Sequence, residues 1–159
     1  MTRLALLLVA TLSAPILPAQ AEEGTYLPPV TDTTVTKECG ACHMVFPPQF
    51  LPARSWRKLM ADLASHFGED ASLADPARQM VTTYLLDHAA DAPGTKGSQR
   101  FLRGLSADVT PLRISETPFW QNAHEEVSAR QFASATVKSP ANCVACHTAA
   151  NRGDFSEPE

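Results

Sequence analysis

Cys39-Gly40-Ala41-Cys42-His43 is the stretch around which the chain is organised, and Cys143-Val144-Ala145-Cys146-His147 repeats its pattern near the other end. Each is a C-x-x-C-H motif, the spacing used for covalent attachment of a c-type haem. Two thiols three positions apart sit on adjacent parts of one helical turn, within reach of the two vinyl groups of a porphyrin. The His that follows turns its imidazole to the iron. The two motifs use all four cysteines of the chain. They predict two covalently bound haems c, one on Cys39, Cys42 and His43, the other on Cys143, Cys146 and His147.

Two rival uses of four cysteines are a pair of disulfides and a four-thiolate zinc site built from two C-x-x-C knuckles. Both leave the two motif histidines unexplained. Export, which C-x-x-C-H requires in bacteria, is written in the first residues. Met1-Thr2-Arg3 is followed by the apolar run Leu4 to Leu12, too short to span a bilayer, then Pro15, Pro18 and the small-x-small site Ala19-Gln20-Ala21. Residues 1–21 read as a secretory signal peptide cut after Ala21, which sends the chain to the periplasm. No later stretch is apolar for long enough to be a transmembrane helix.

Removing residues 1–21 leaves 138 residues with a net charge of −5, since Arg3 is the only charged residue lost. That length allows one domain or two small ones. Halves of about 70 residues are short of core material, and a porphyrin face supplies the missing apolar surface. An acidic chain is no partner for nucleic acid. It can dock on a basic protein surface.

Along the chain, residues 22–36, with Pro28-Pro29 and a run of threonines, read as an extended lead-in. A short helix over Cys39 to Met44 ends before Pro47-Pro48. Pro52 opens a second helix whose stripe is Trp56, Leu59, Met60, Leu63 and Phe67, with Gly68 as its C-terminal cap. Asp75-Pro76 opens a third, with Ala77, Met80, Val81, Tyr84, Leu85 and Ala89 on one face and an end near Asp91. Pro93-Gly94 marks a break, and the boundary between an N-terminal haem domain (22–94) and a C-terminal one (95–159) is drawn there. The second half holds a short helix at Phe101-Leu102, weak extended character over Val109 to Ser115, a helix from Thr117-Pro118 to Val127, and a last helix from Ser139-Pro140 that carries the second motif. Residues 151–159 read as a loose polar tail. The fold class is mainly α: two small haem-binding domains with long irregular connections.

An iron bound by its motif His has one axial position left, and the side chain that fills it sets the chemistry. The spare histidines are His66, His88 and His124; the mature methionines are Met44, Met60 and Met80. His66 edges the second helix's apolar stripe, 23 residues after His43, and His124 lies one turn from Trp120, 23 residues before His147. Both are favoured as distal ligands. His88, one turn from Tyr84, stays open as a replacement for either, with a place near a helix C-terminus as its other reading. Met44 is too close to His43 to reach the opposite haem face, and Met60 and Met80 fall in core stripes.

These residues resemble the small exported dihaem cytochrome c family (DHC). The resemblance is carried by Glu38 to His43, Phe46-Pro47-Pro48, Leu51 to Trp56, His66-Phe67-Gly68, Arg113 to Pro118, His124, Ser139 to His147 and Gly153-Asp154-Phe155. It spans nearly all of the mature chain. It implies two small haem domains, the first similar to class I cytochromes c, with both irons bis-histidinyl. His66 then resembles the distal ligand of the first haem and His124 that of the second. It also implies redox partners: a small monohaem cytochrome c and a membrane cytochrome b.

Two low-spin haems with both axial sites filled pass electrons rather than bind substrate. The leading expectation is therefore a monomeric periplasmic electron carrier with two low-potential bis-His haems and no catalytic residues. Arg54, Arg57 and Lys58 could neutralise propionates, present a docking patch, or simply be solvated. The alternative is a small haem enzyme, a peroxidase or nitrogen-oxide reductase with one labile axial ligand and an acid such as Glu125 or Glu126. A haem sensor or a subunit of a membrane complex is a third, weaker expectation.

Overall fold

A computed structural model describes residues 25–95 and 97–156. The expected signal peptide and the last three residues of the tail lie outside this range. The chain is mainly helical, with α1 over Thr33–Cys39, α2 over Ala53–Ala61, α3 over Asp75–Asp87, α4 over Pro118–Ala123 and α5 over Ala129–Phe132. Two short strands, β1 (Thr25–Tyr26) and β2 (Asp154–Phe155), pair antiparallel and join the two ends of the described chain. No described helix is long and apolar enough to cross a membrane.

Several elements differ from the expectation. The lead-in is not extended throughout: Asp32 caps α1 by accepting from the Val35 N–H at 2.9 Å, and Val35 is fully buried. A cap and one core contact outweigh the low helix propensity of the threonines. The helix stops at Cys39, so the first motif is a turn rather than a helix. Gly40 is required at that stop, because a Cβ there would meet the Thr36 carbonyl oxygen at 2.3 Å.

The second helix also ends early, at Ala61, and a 3-10 turn over Leu63–Ser65 follows. His66 therefore stands in a tight loop, and Gly68 (φ +103°) serves that loop instead of capping a helix. The third helix ends at Asp87, before Asp91. The Asp91 carboxylate instead accepts from the Ala53 N–H at 2.7 Å and caps the start of α2. The weak extended character over Val109 to Ser115 yields only a 3-10 turn at Ile114–Glu116, and the expected last helix is turns plus a 3-10 segment at Cys143–Ala145. The polar tail contains β2.

The first core packs Val35, Leu51, Trp56, Met60, Val81, Leu85 and Ala89, with Cys39 against its edge. Met80 departs from its expected place: it is 55% exposed, whereas Met60 is buried. Within this core the Trp56 indole donates to the Pro48 carbonyl at 2.8 Å. A second cluster gathers Leu27, Phe50 and Phe101, with Phe119 and Phe155 packed on it. Its aromatic rings meet edge to face at 4.8–5.1 Å. Ile114 touches both clusters and ties the halves together.

Candidate haem sites

No disulfide joins the four cysteines. Cys39 and Cys143 are the inner members of their pairs, and burial raises both thiols above the ordinary cysteine range, with Glu38 adding to the effect at Cys39. Cys42 and Cys146 are exposed. Among the described residues no group of three or more His, Cys, Asp or Glu side chains converges to hold a metal ion. Four thiolates therefore do not form one zinc site. What the chain offers at each end is a thiol pair and two imidazoles.

The imidazoles pair as follows. The His43 and His66 rings face each other with centroids 6.3 Å apart and planes 24° from parallel. The His124 and His147 rings stand 6.0 Å apart with planes at 87°. A metal–imidazole bond of about 2 Å on each side, plus the ring radius of about 1.1 Å, places two axial rings a little over 6 Å apart. Both pairs match that span. Phe67 (45% exposed) and Val144 (39%) present large apolar surfaces at the two sites, of the kind a porphyrin covers.

A haem-binding imidazole also needs its second nitrogen held, so that the first points at the metal. Three of the four rings meet this condition. His43 Nδ1–H donates to the Met44 carbonyl at 2.6 Å, His124 to the Trp120 carbonyl at 2.9 Å, and His147 to the Ser156 carbonyl at 2.8 Å. His66 differs: its Nδ1 is buried and has no partner among the described residues. Burial lowers the proton affinity of His66, and His43 and Arg113 lower it further. Burial likewise lowers that of His124, against the Trp120 carbonyl, which raises it. The shift biases both imidazoles toward the neutral form, the one that binds metal.

His88 is an instructive control. Like His124 it caps a helix C-terminus, stacks on the aromatic residue one turn back (Tyr84, 4.2 Å) and donates Nδ1–H to that residue's carbonyl at 2.8 Å. It is exposed and faces no motif histidine. His124 shares that local posture but has the His147 ring 6.0 Å away.

Residues 35–155 match the family Dihaem cytochrome c, DHC. The chain belongs to the dihaem cytochrome c family. It therefore carries two covalently bound haems c, and its four cysteines fit the two C-x-x-C-H motifs. It is similar to the solved diheme cytochrome c from Rhodobacter sphaeroides, at 50% identity and TM-score 0.74, over 81% of this chain and 100% of that one. A second structure, of DHC purified from Rhodobacter sphaeroides, is 47% identical with TM-score 0.66, over 80% and 99% of the two chains. The diheme cytochrome of Shewanella baltica OS155 is 33% identical with TM-score 0.62, over 77% and 85%. No curated protein sequence matches the chain. Family and fold make it a haem-based electron-transfer protein.

Other candidates found different places. Arg54 donates to the Val109 and Ser106 carbonyls at 2.8 and 3.1 Å, which fastens the 106–109 loop to α2. Arg57 and Lys58 are exposed, as are Glu125 and Glu126. Sequence reasoning missed the contact of Arg113 with Phe67, where the guanidinium lies 3.9 Å from the ring centroid. It also missed the packing of Phe132 on Trp120 at 5.2 Å. No spacing signalled either contact, because each joins segments brought together by turns.

Proposed function

We propose that this dihaem cytochrome is a periplasmic electron carrier with two low-potential, bis-histidinyl haems, built as two haem units over about 22–94 and 95–159. Cys39 and Cys42 hold the first haem through thioether bonds, with His43 and His66 as axial ligands. Cys143 and Cys146 hold the second, with His147 and His124. Bound there, each haem supplies one-electron redox chemistry. The single observation that carries the reading is the opposition of the two histidine pairs at 6.3 and 6.0 Å. Two imidazoles on one iron leave no coordination position for a substrate, and nitrogen donors on both sides favour a low potential.

The chain's own residues support transfer without chemistry. Carbonyls fix three of the imidazoles, and a fixed ligand set keeps reorganisation small when charge changes. A monomer that passes electrons between a membrane cytochrome b and a small monohaem cytochrome c fits the family resemblance, and a leader like residues 1–21 fits export. Carbon monoxide or cyanide added to the reduced and oxidised protein tests the reading. Unchanged absorption at neutral pH is expected, and rapid stoichiometric binding would sink it.

One observation favours a second reading at the first site. His66 lacks the carbonyl anchor that the other three rings possess, and its neighbour Phe67 sits at φ 55°, a strained conformation for a non-glycine residue. A ligand so placed is the easier one to displace. A reductase or peroxidase with a labile axial ligand would use His66 in that way. Ligand binding confined to the first haem, and abolished at the second, is the result that selects it.

A further inference from the structure

The two histidine pairs meet at different angles, and the cause is local. The His124 ring lies flat on the Trp120 indole, 4.2 Å between centroids and 16° between planes. Its Nδ1–H donates to the carbonyl of that same residue at 2.9 Å. A ring gripped at its face and its edge by one residue is not free to turn about its own axis. Phe132 lies beside the stack, 5.2 Å from the Trp120 indole and 6.2 Å from the His124 ring. His147 takes its plane from elsewhere: its Nδ1–H donates to the Ser156 carbonyl, just past β2. Two unrelated anchors fix the two rings, and they come out crossed at 87°. In the first pair His43 stacks on Phe46 at 4.9 Å, and His66 follows it to within 24°.

Ring angle matters to a low-spin iron. Each imidazole has π orbitals normal to its plane, and they overlap one of the two iron d orbitals of matching symmetry. Parallel rings load the same d orbital and split the pair. Crossed rings load one each and leave the pair nearly equal in energy. Ferric low-spin iron has a single hole in that set, so the splitting shapes its EPR spectrum. It also steadies the ferric form, so a crossed site holds its electron more readily than a parallel one with the same ligands. Ring angle thus stands beside axial identity, hydrogen bonding and burial among the ways a protein sets a haem's potential.

We propose that Trp120 is a positioning residue that holds His124 crosswise to His147, and that ligand angle, not ligand identity, makes the two haems of this chain electronically unequal. The proposal deepens the electron-carrier reading and rests on its bis-histidine ligation.

Low-temperature EPR of the fully oxidised holoprotein, with Trp120→Leu and Trp120→Phe, tests it. The unaltered protein should show one rhombic low-spin signal with three resolved features and one strongly anisotropic signal with a single low-field feature, in equal amounts. Leucine removes the flat surface under His124. It should move the anisotropic signal toward a rhombic one and lower the midpoint potential of that haem alone. Phenylalanine restores the surface and should restore both readouts. Two rhombic signals in the unaltered protein would overturn the proposal, whatever the variants do. An anisotropic signal unmoved in Trp120→Leu would overturn the role of Trp120. High-spin iron in the unaltered protein would instead remove the bis-histidine reading beneath it, an outcome distinct from either.

Discussion

Single side chains decide what each iron can do. Replacing His66 by Met exchanges a nitrogen donor for a softer sulfur, which should raise the potential of one haem and leave the other in place. A redox titration followed by absorbance reads this directly. His88→Asn should change neither spectrum nor potential, because His88 is exposed and faces no motif histidine. The appearance of high-spin iron in that variant would reassign a ligand. Protonation competes with iron for an imidazole nitrogen, so pH is a further test. Burial first, then His43 and Arg113, depress the proton affinity of His66 in the folded chain. Burial also depresses that of His124. A lowered pKa disfavours the imidazolium while the ring stays in place, whereas a ring released to solvent titrates in the ordinary range. As pH falls, the released state gains. Low-spin iron should therefore give way to high-spin iron as pH falls from the ordinary imidazole range downward, checked by absorption from pH 8 to about 4. Conversion as pH rises instead would contradict this account of the two sites.

At the scale of elements, the helices that were legible in the sequence are those with an amphipathic stripe and a start signal. The third helix shows both, and Pro76 stands in the first turn of α3 as expected, although Ala74 rather than Asp75 takes the cap position. Thr117-Pro118 begins α4, with the Thr117 hydroxyl accepting from the Trp120 N–H. Helix ends were harder to read, because local bonds outbid the stripe. The stripe through Phe67 implied one long helix, yet α2 stops at Ala61 and releases His66 into a loop. The helix α1 was hidden by threonines, whose low propensity its cap and its buried Val35 override. Removing that cap with Asp32→Ala should cost about 1 kcal/mol of unfolding free energy. Leu85 is buried in the first core against α1 and α2. Leu85→Ala should cost about 2–4 kcal/mol through lost burial and a cavity. Chemical denaturation of the holoprotein measures both, and a larger loss from the cap than from the core would invert the account.

Across the whole molecule, the motifs in the sequence reveal the haem count, and the positions of the spare histidines reveal the candidate ligands. What no single segment could reveal is how the ends meet. The N-terminal strand β1 pairs with β2, seven and eight residues beyond His147, and the Leu27 N–H donates to the Gly153 carbonyl at 2.8 Å. Gly153 sits at φ +86°, and a Cβ there would lie 1.8 Å from the Leu27 carbonyl oxygen. Gly153→Ala should therefore destabilise the fold by about 2–3 kcal/mol, seen as a lower denaturation midpoint. It should also loosen the Ser156 carbonyl that anchors His147, two residues past Asp154. In the proposed function both irons are held between two histidines and serve transfer alone. A spectroelectrochemical titration of the full holoprotein, run with and without carbon monoxide, tests it most directly. Two low-spin, low-potential one-electron steps that carbon monoxide leaves unmoved are expected. A high-spin iron, or a step that carbon monoxide shifts at neutral pH, would contradict it.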